Sequence, residues 1–217
     1  MTTALLQTTY FGPVQWYQKL CRYDRCLIEQ YDTYQKQTYR NRCVIATANG
    51  LQALTVPVEH QANGQWAMGN GQWVKDLRIS DHNQWRRVHW NALQSAYSES
   101  PFFDYYADDI RPFFERKYTF LVDFNEAIRQ KMCELIDIHP NVAYTDSYLP
   151  SPAPALTPSA STLSDFRDVI HAKHPQADPE YEVREYWQVF AHKHGFQPNL
   201  SILDLLFCMG PESVFYL

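Results

Sequence analysis

Lys36, Arg40 and Arg42 stand close together, interleaved with Tyr34, Tyr39 and Asn41, directly before the apolar run Cys43-Val-Ile-Ala. Cations this close repel one another. A folded chain that keeps them beside its core offsets that cost with an anion, either its own carboxylate or a ligand. On a strand, residues 40 and 42 point to one face because the side-chain period is two. Two guanidiniums on one face can fork a phosphate or carboxylate. A nucleotide-sugar diphosphate, an amino-acid carboxylate or a glycan phosphate would fit, with Tyr10, Tyr34 and Tyr39 as walls and Asn41 within the segment. Asp32 and Glu29 are the internal partners that could instead neutralise the cluster.

His89 is the second chemical candidate. On a helix it lies beside the stripe Trp85, Val88, Ala92, Leu93 and Ala96. A half-buried imidazole can act as general base near neutral pH, and it can equally be a core histidine bonded to backbone. Asp32 falls at the end of an expected parallel strand, where α/β folds place ligands. It could orient His89 or hold Lys36, or simply be a turn residue. Ser201 and Asp204 read as a helix cap, and Asp108-Asp109 as a solvated helix face. The pairs His171-x-x-His174 and His192-x-His194 fall on weakly patterned segments. A zinc site needs three or four ligands, so no metal is expected, and no cofactor either. The chain has no G-x-x-x-x-G-K-S/T or G-x-G-x-x-G phosphate loop and no G-x-S-x-G elbow.

The elements that must position these residues follow from periodicity. Ala4 to Gln7 reads as a short buried strand and residues 8–13 as a turn. Pro13 opens a helix carrying Val14, Tyr17, Leu20 and Cys21. Cys26 to Tyr31 reads as a second strand, parallel to the first by the crossover rule. Asn41–Thr47 and Leu51–Val58 flank an Asn49-Gly50 hairpin signal. Residues 60–75 read as a loop and Lys75–Ile79 as a short strand. Three helices are expected next. The first runs from a Ser80 or Asp81 cap to about Ser98. The second starts at Pro101 and buries Phe102, Phe103, Tyr106, Ile110 and Phe113 or Phe114. The third spans about Thr119 to Ile136. Ala143–Tyr148 and Tyr186–Phe190 read as strands. Between them lies a proline-rich loop at about 149–165. The expected fold is α/β, with a mixed sheet of N-terminal strands against a layer of about three central helices, in one domain over residues 1–217. The pocket is expected where the residue 8–13 turn, the 32–42 segment and the first central helix meet.

Bulk properties narrow the function. A net charge of -5 and a pI near 5.9 argue against a sequence-independent nucleic-acid binder, so nucleic acid is not an expected partner. The cysteines are five, an odd number, with no C-x-x-C spacing, which suits free thiols in a reducing compartment. No membrane span and no signal peptide are read, so the expected location is cytoplasmic.

Several collinear stretches carry a family resemblance: Tyr10-Phe-Gly-Pro13, Glu29-Gln-Tyr-Asp-Thr-Tyr34, Lys36-Gln-Thr-Tyr-Arg-Asn-Arg42, Leu54-Thr-Val-Pro-Val58 and Trp85-Arg-Arg-Val-His89. Ser100-Pro-Phe-Phe103, Phe124-Asn125 and Pro198-Asn-Leu-Ser-Ile-Leu-Asp-Leu-Leu-Phe207 continue it. Together they resemble the WbqC-like family. Cys208 stands where the family often has Asn, and the segment before the last motif is short and proline-rich. The resemblance implies a role in bacterial surface-polysaccharide synthesis of the O-antigen type. The implied chemistry is transfer of an aminoacyl (glycyl) group to a sugar nucleotide or glycan precursor. On that reading His89 is the base, Asp32 orients it, and Lys36, Arg40 and Arg42 hold the anion. A non-catalytic glycan-binding or scaffold protein of the same system is the alternative.

Overall fold

The computed structural model describes residues 1–59, 72–150 and 162–217. Most of the 60–75 loop and of the proline-rich segment therefore lies outside the described residues. Strand β1 (Thr2–Gln7) leads through a buried turn into helix α1 (Val14–Arg22), which returns the chain to strand β2 (Arg25–Glu29). β1 and β2 pair in parallel, with Gln7 opposite Glu29. The amides at the start of α1 are already used. Val14 N–H donates to the Leu200 carbonyl at 3.0 Å and Gln15 N–H to Asn199 Oδ1 at 2.9 Å. The chain's own C-terminal segment thus takes the donors that phosphate loops offer to a ligand.

The hairpin forms as the Asn49-Gly50 signal predicts. Strand β3 (Arg42–Thr47) pairs antiparallel with β4 (Gly50–Thr55), and Gly50 takes φ 102°, which favours glycine. Helices α2 (Trp85–Tyr97), α3 (Phe103–Ile110), α4 (Pro112–Glu115) and α5 (Leu121–Leu135) follow. Strand β5 (Val142–Tyr144) then pairs parallel with β2, and β6 (Thr162–Asp165) pairs parallel with β1. Helices α6 (Ala191–His194) and α7 (Ile202–Met209) follow, and a 3-10 helix (Gly210–Tyr216) comes after α7.

The α/β class stands. The strands divide into a four-stranded parallel sheet, ordered β5-β2-β1-β6, and the separate β3–β4 ribbon, in place of one mixed sheet. β6, which the sequence reading absorbed into the proline-rich loop, is the strand that makes β1 central. Buried aromatic and aliphatic side chains from the sheet, α1, the ribbon, the central helices and α7 form one continuous core.

Three local expectations change. Residues 74–76 form a 3-10 turn, and Arg78 and Ile79 make only isolated bridges, so Lys75–Ile79 is not a strand. α2 starts at Trp85, because Asn83 and Gln84 take positive φ and Asp81 binds Arg86 and Lys117 in place of helix amides. Tyr186 and Gln188 do point inward as a strand would require, but no strand partner is present among the described residues. The Gln188 side-chain amide bonds both the carbonyl and the N–H of Gln197, replacing a ladder.

Candidate functional site

Four parallel strands end on one side, and their carboxyl edge carries a network of buried carboxylates and guanidiniums. Glu29 closes β2 and is buried. Its Oε1 accepts from Tyr31 N–H at 2.8 Å and the Thr145 hydroxyl at 2.9 Å, and its Oε2 from Leu149 N–H at 2.9 Å. Asp165 closes β6 and holds Arg167 bidentately, with Nε–Oδ1 at 2.9 Å and Nη2–Oδ2 at 2.6 Å. Arg167 Nη1 donates to the Leu149 carbonyl at 2.7 Å and lies 3.5 Å from Glu29. Arg40 joins this field through Asp32, which it binds in a salt bridge. Carboxyl edges of parallel sheets are where open α/β folds bind ligands.

Arg40 is 1% exposed. Burial pushes its pKa down, and Asp32 opposes that shift. Its Nε has no hydrogen-bond partner among the described residues, and the same holds for Gln7 Oε1, Asn41 Oδ1 and Asn125 Oδ1. Of these, Asn125 is tied to the Arg40 backbone, its Nδ2 bonding the Arg40 carbonyl at 2.8 Å and Thr8 Oγ1 at 3.1 Å. Buried polar groups are almost always satisfied, so an unpartnered Nε on a buried guanidinium is the exception at this edge.

The cationic segment divides. Arg40 lies in a turn ahead of β3, so strand alternation does not relate it to Arg42. Arg42 is half-buried and donates to Thr55 Oγ1 at 3.1 Å. Lys36 is exposed. Asn41 closes the ribbon, donating from Nδ2 to the Val56 carbonyl at 2.8 Å.

The residue 8–13 turn, the 32–42 segment and α2 do meet. Tyr10 N–H bonds the Tyr39 carbonyl at 2.9 Å, and Tyr10 Oη lies 2.9 Å from His89 Nδ1. The junction is filled with rings. Tyr10, Tyr34 and Tyr39 are buried, and His89, 4% exposed, packs against Tyr10, Trp85 and Phe114. Val88 is instead 52% exposed, so the buried face of α2 runs through His89. Burial pushes the His89 pKa down to about 4, against a backbone hydrogen bond to Thr55. The imidazole is neutral at physiological pH. The hydrogen bond of Asp32 goes to Arg40, not to His89.

Asp204 is more than a cap. Ser201 does cap α7, accepting from Leu203 N–H at 3.3 Å and donating to the Phe11 carbonyl at 2.8 Å. Asp204 is buried and accepts from Tyr97 at 2.8 Å, Tyr186 at 2.7 Å and Gln188 at 3.1 Å. Burial outweighs these donors and pushes its pKa up to about 6. Arg167, Asp165 and the residue 145–149 turn escaped the sequence reading because no local pattern ties them to β2. The one available signal was the clustering of Asp165, Arg167 and Asp168 after a short β-branched and apolar stretch. Among the described residues, no group of three or more His, Cys, Asp or Glu is placed to hold a metal ion, and no helix is long and apolar enough to cross a membrane.

No solved structure gives a significant match to this chain. An uncharacterized protein of Mycobacterium tuberculosis (strain ATCC 25618 / H37Rv), Rv1507c, is 30% identical over 232 residues, covering 99% of this chain and 96% of the relative. The profile of the WbqC-like protein family matches residues 7–166, from the end of β1 through β6, the span that builds the carboxyl edge. The chain belongs to the WbqC-like protein family.

Proposed function

We propose that this protein binds a glycan precursor at the carboxyl edge of its parallel sheet and acts as a group transferase in bacterial surface-polysaccharide synthesis of the O-antigen type. The group moved would be aminoacyl, with a sugar nucleotide or glycan precursor as acceptor. The pathway and chemistry rest on the family resemblance. The place rests on one observation, the buried Arg40 whose Nε is unpartnered beside a paired Asp32. In this reading Arg40 Nε donates to a carboxylate, phosphate or carbonyl oxygen of the ligand, and Asp32 fixes the guanidinium plane. Lys36 and Arg42 contribute field from outside. His89 holds the Tyr10 loop in place, since an imidazole with a pKa of about 4 is a weak base at neutral pH.

The alternative, a non-catalytic glycan-binding or scaffold protein, is favoured by that same burial of His89, which removes the sequence's candidate base from solvent. Incubation with nucleotide sugars and glycine, followed by mass spectrometry, separates the two. A product whose formation needs Arg40 supports the transferase. Binding with no product supports the scaffold. Arg40→Lys keeps a charge for Asp32 but removes Nε, so ligand binding should fall while the melting temperature stays close to wild type. Unchanged binding in Arg40→Lys removes this site from consideration.

A further inference from the structure

The carboxyl edge also carries aromatic rings that no motif predicted. Glu29 gathers them. One of its oxygens binds the backbone of Tyr31 and the other the backbone of Leu149, so the turns after β2 and β5 are pinned to a single buried carboxylate. The turns that bear Tyr31 and Tyr148 are therefore anchored at the same carboxylate. The segment around Trp73 is zipped to the same turn, with Tyr34 N–H on the Gln72 carbonyl at 3.0 Å, Val74 N–H on Asp32 at 2.9 Å and Lys75 N–H on Gln30 at 2.9 Å. Tyr31 and Trp73 meet edge-to-face, with centroids 5.8 Å apart. Lys75 Nζ lies 5.5 Å from the Tyr31 ring and 5.0 Å from the Trp73 ring, and the Arg167 guanidinium lies 5.7 Å from Tyr148. Cations thus back the rings, while Trp73 and Tyr148 stay 49% and 50% exposed. The tyrosines assigned to this task from the sequence, Tyr10, Tyr34 and Tyr39, are buried in the core.

The charges beside the rim restrict what the rings can receive. Glu29, Asp32 and Asp165 already engage Arg40 and Arg167, and the exposed Asp168 adds a further negative charge in the field of Arg40. Carboxylates outnumber guanidiniums beside the rim, so any phosphate of the ligand is directed to Arg40 and the rings are left to an uncharged part. Carboxylate oxygens accept from hydroxyls, and ring faces cover the C–H face of a saturated ring.

We propose that Trp73, Tyr31 and Tyr148 form a stacking rim for an uncharged sugar ring of the ligand, with its hydroxyls directed at the edge carboxylates. This deepens the function proposed above and rests on that reading. The test uses N-acetylglucosamine, an uncharged disaccharide and uridine diphosphate as probes, with saturation-transfer NMR and calorimetry on wild type, Trp73→Ala, Tyr148→Ala and Arg40→Lys. Both rim rings are half-exposed, so the variants should keep the wild-type melting temperature. The expected result is that the sugars bind and each rim variant weakens them by about fivefold or more, the scale of one lost ring contact. If the sugars bind and only Arg40→Lys weakens them, the rim idea is overturned and the edge site stands. If uridine diphosphate alone binds and the rim variants weaken it, the rim takes a base and the sugar assignment is wrong. If no probe binds any form, the edge-site reading fails, and the rim fails with it.

Discussion

The knot around Asp204 and the carboxyl edge around Arg40 both bury charged groups, yet they are finished to different degrees. Asp204 has three donors, Tyr97 from α2 and Tyr186 and Gln188 from the 186–188 segment, and no cation among the described residues. Arg40 has one carboxylate partner and an orphaned Nε. A saturated knot fixes the C-terminal segment to the body. An unsaturated edge costs stability and keeps donors available, which is the arrangement a binding site requires.

The most damaging way to break this contrast is Asp204→Ala. It strands two tyrosine hydroxyls and an amide in the core and should cost about 3–5 kcal/mol, read from urea unfolding. A loss no larger than that of a surface change would mean that the knot is incidental. His89→Ala comes next. It removes the Tyr10 bond and leaves a cavity among rings, for about 2–4 kcal/mol. A variant that keeps its melting temperature but loses turnover would restore the imidazole to a catalytic role.

Acid titration sharpens the comparison further, because the two buried groups oppose each other. The folded pKa of Asp204, about 6, lies above the roughly 3.9 of an unfolded aspartate. Its contribution is fully present below about pH 4 and is lost as pH rises through about 6. The folded pKa of His89, about 4, lies below the roughly 6.5 of an unfolded histidine. Its contribution is present above about pH 6.5 and is lost as pH falls through about 4. Between these limits the slopes offset one another. Asp204→Asn should therefore lose more stability than wild type between pH 6.5 and 4.5, and His89→Gln should lose less, by on the order of 2 kcal/mol in each direction. Parallel profiles for all three proteins would contradict both buried assignments. The smallest stability effect is expected of Arg40→Lys, under about 1–2 kcal/mol because the charge pair survives, with its main consequence in ligand binding.

The parts of the fold carried by local pattern were legible. The apolar run at 4–7, Pro13 ahead of helical spacing, the Asn-Gly turn and the aromatic stripe of α3 each encode their element within a few residues. The 186–190 segment reads as a strand, but its lack of a strand partner among the described residues was not legible, because pairing depends on distant backbone. The exposed Val88 and buried His89 exchange the places that hydrophobicity assigns them, since Tyr10, from another element, supplies the polar partner that lets the imidazole be buried.

By itself, the sequence determined the α/β class, the family and the presence of a cationic segment that had to find negative charge. Residue types and short-range spacing are sufficient for those. Only the tertiary structure decided which cation was buried, that its partner is Asp32, and that β6 brings Arg167 and Asp165 beside Glu29. The last of these depends on residues more than a hundred positions apart meeting at one sheet edge, which no local period encodes, whereas Asp32 and Arg40 stand close in sequence and were brought together by the turn between them.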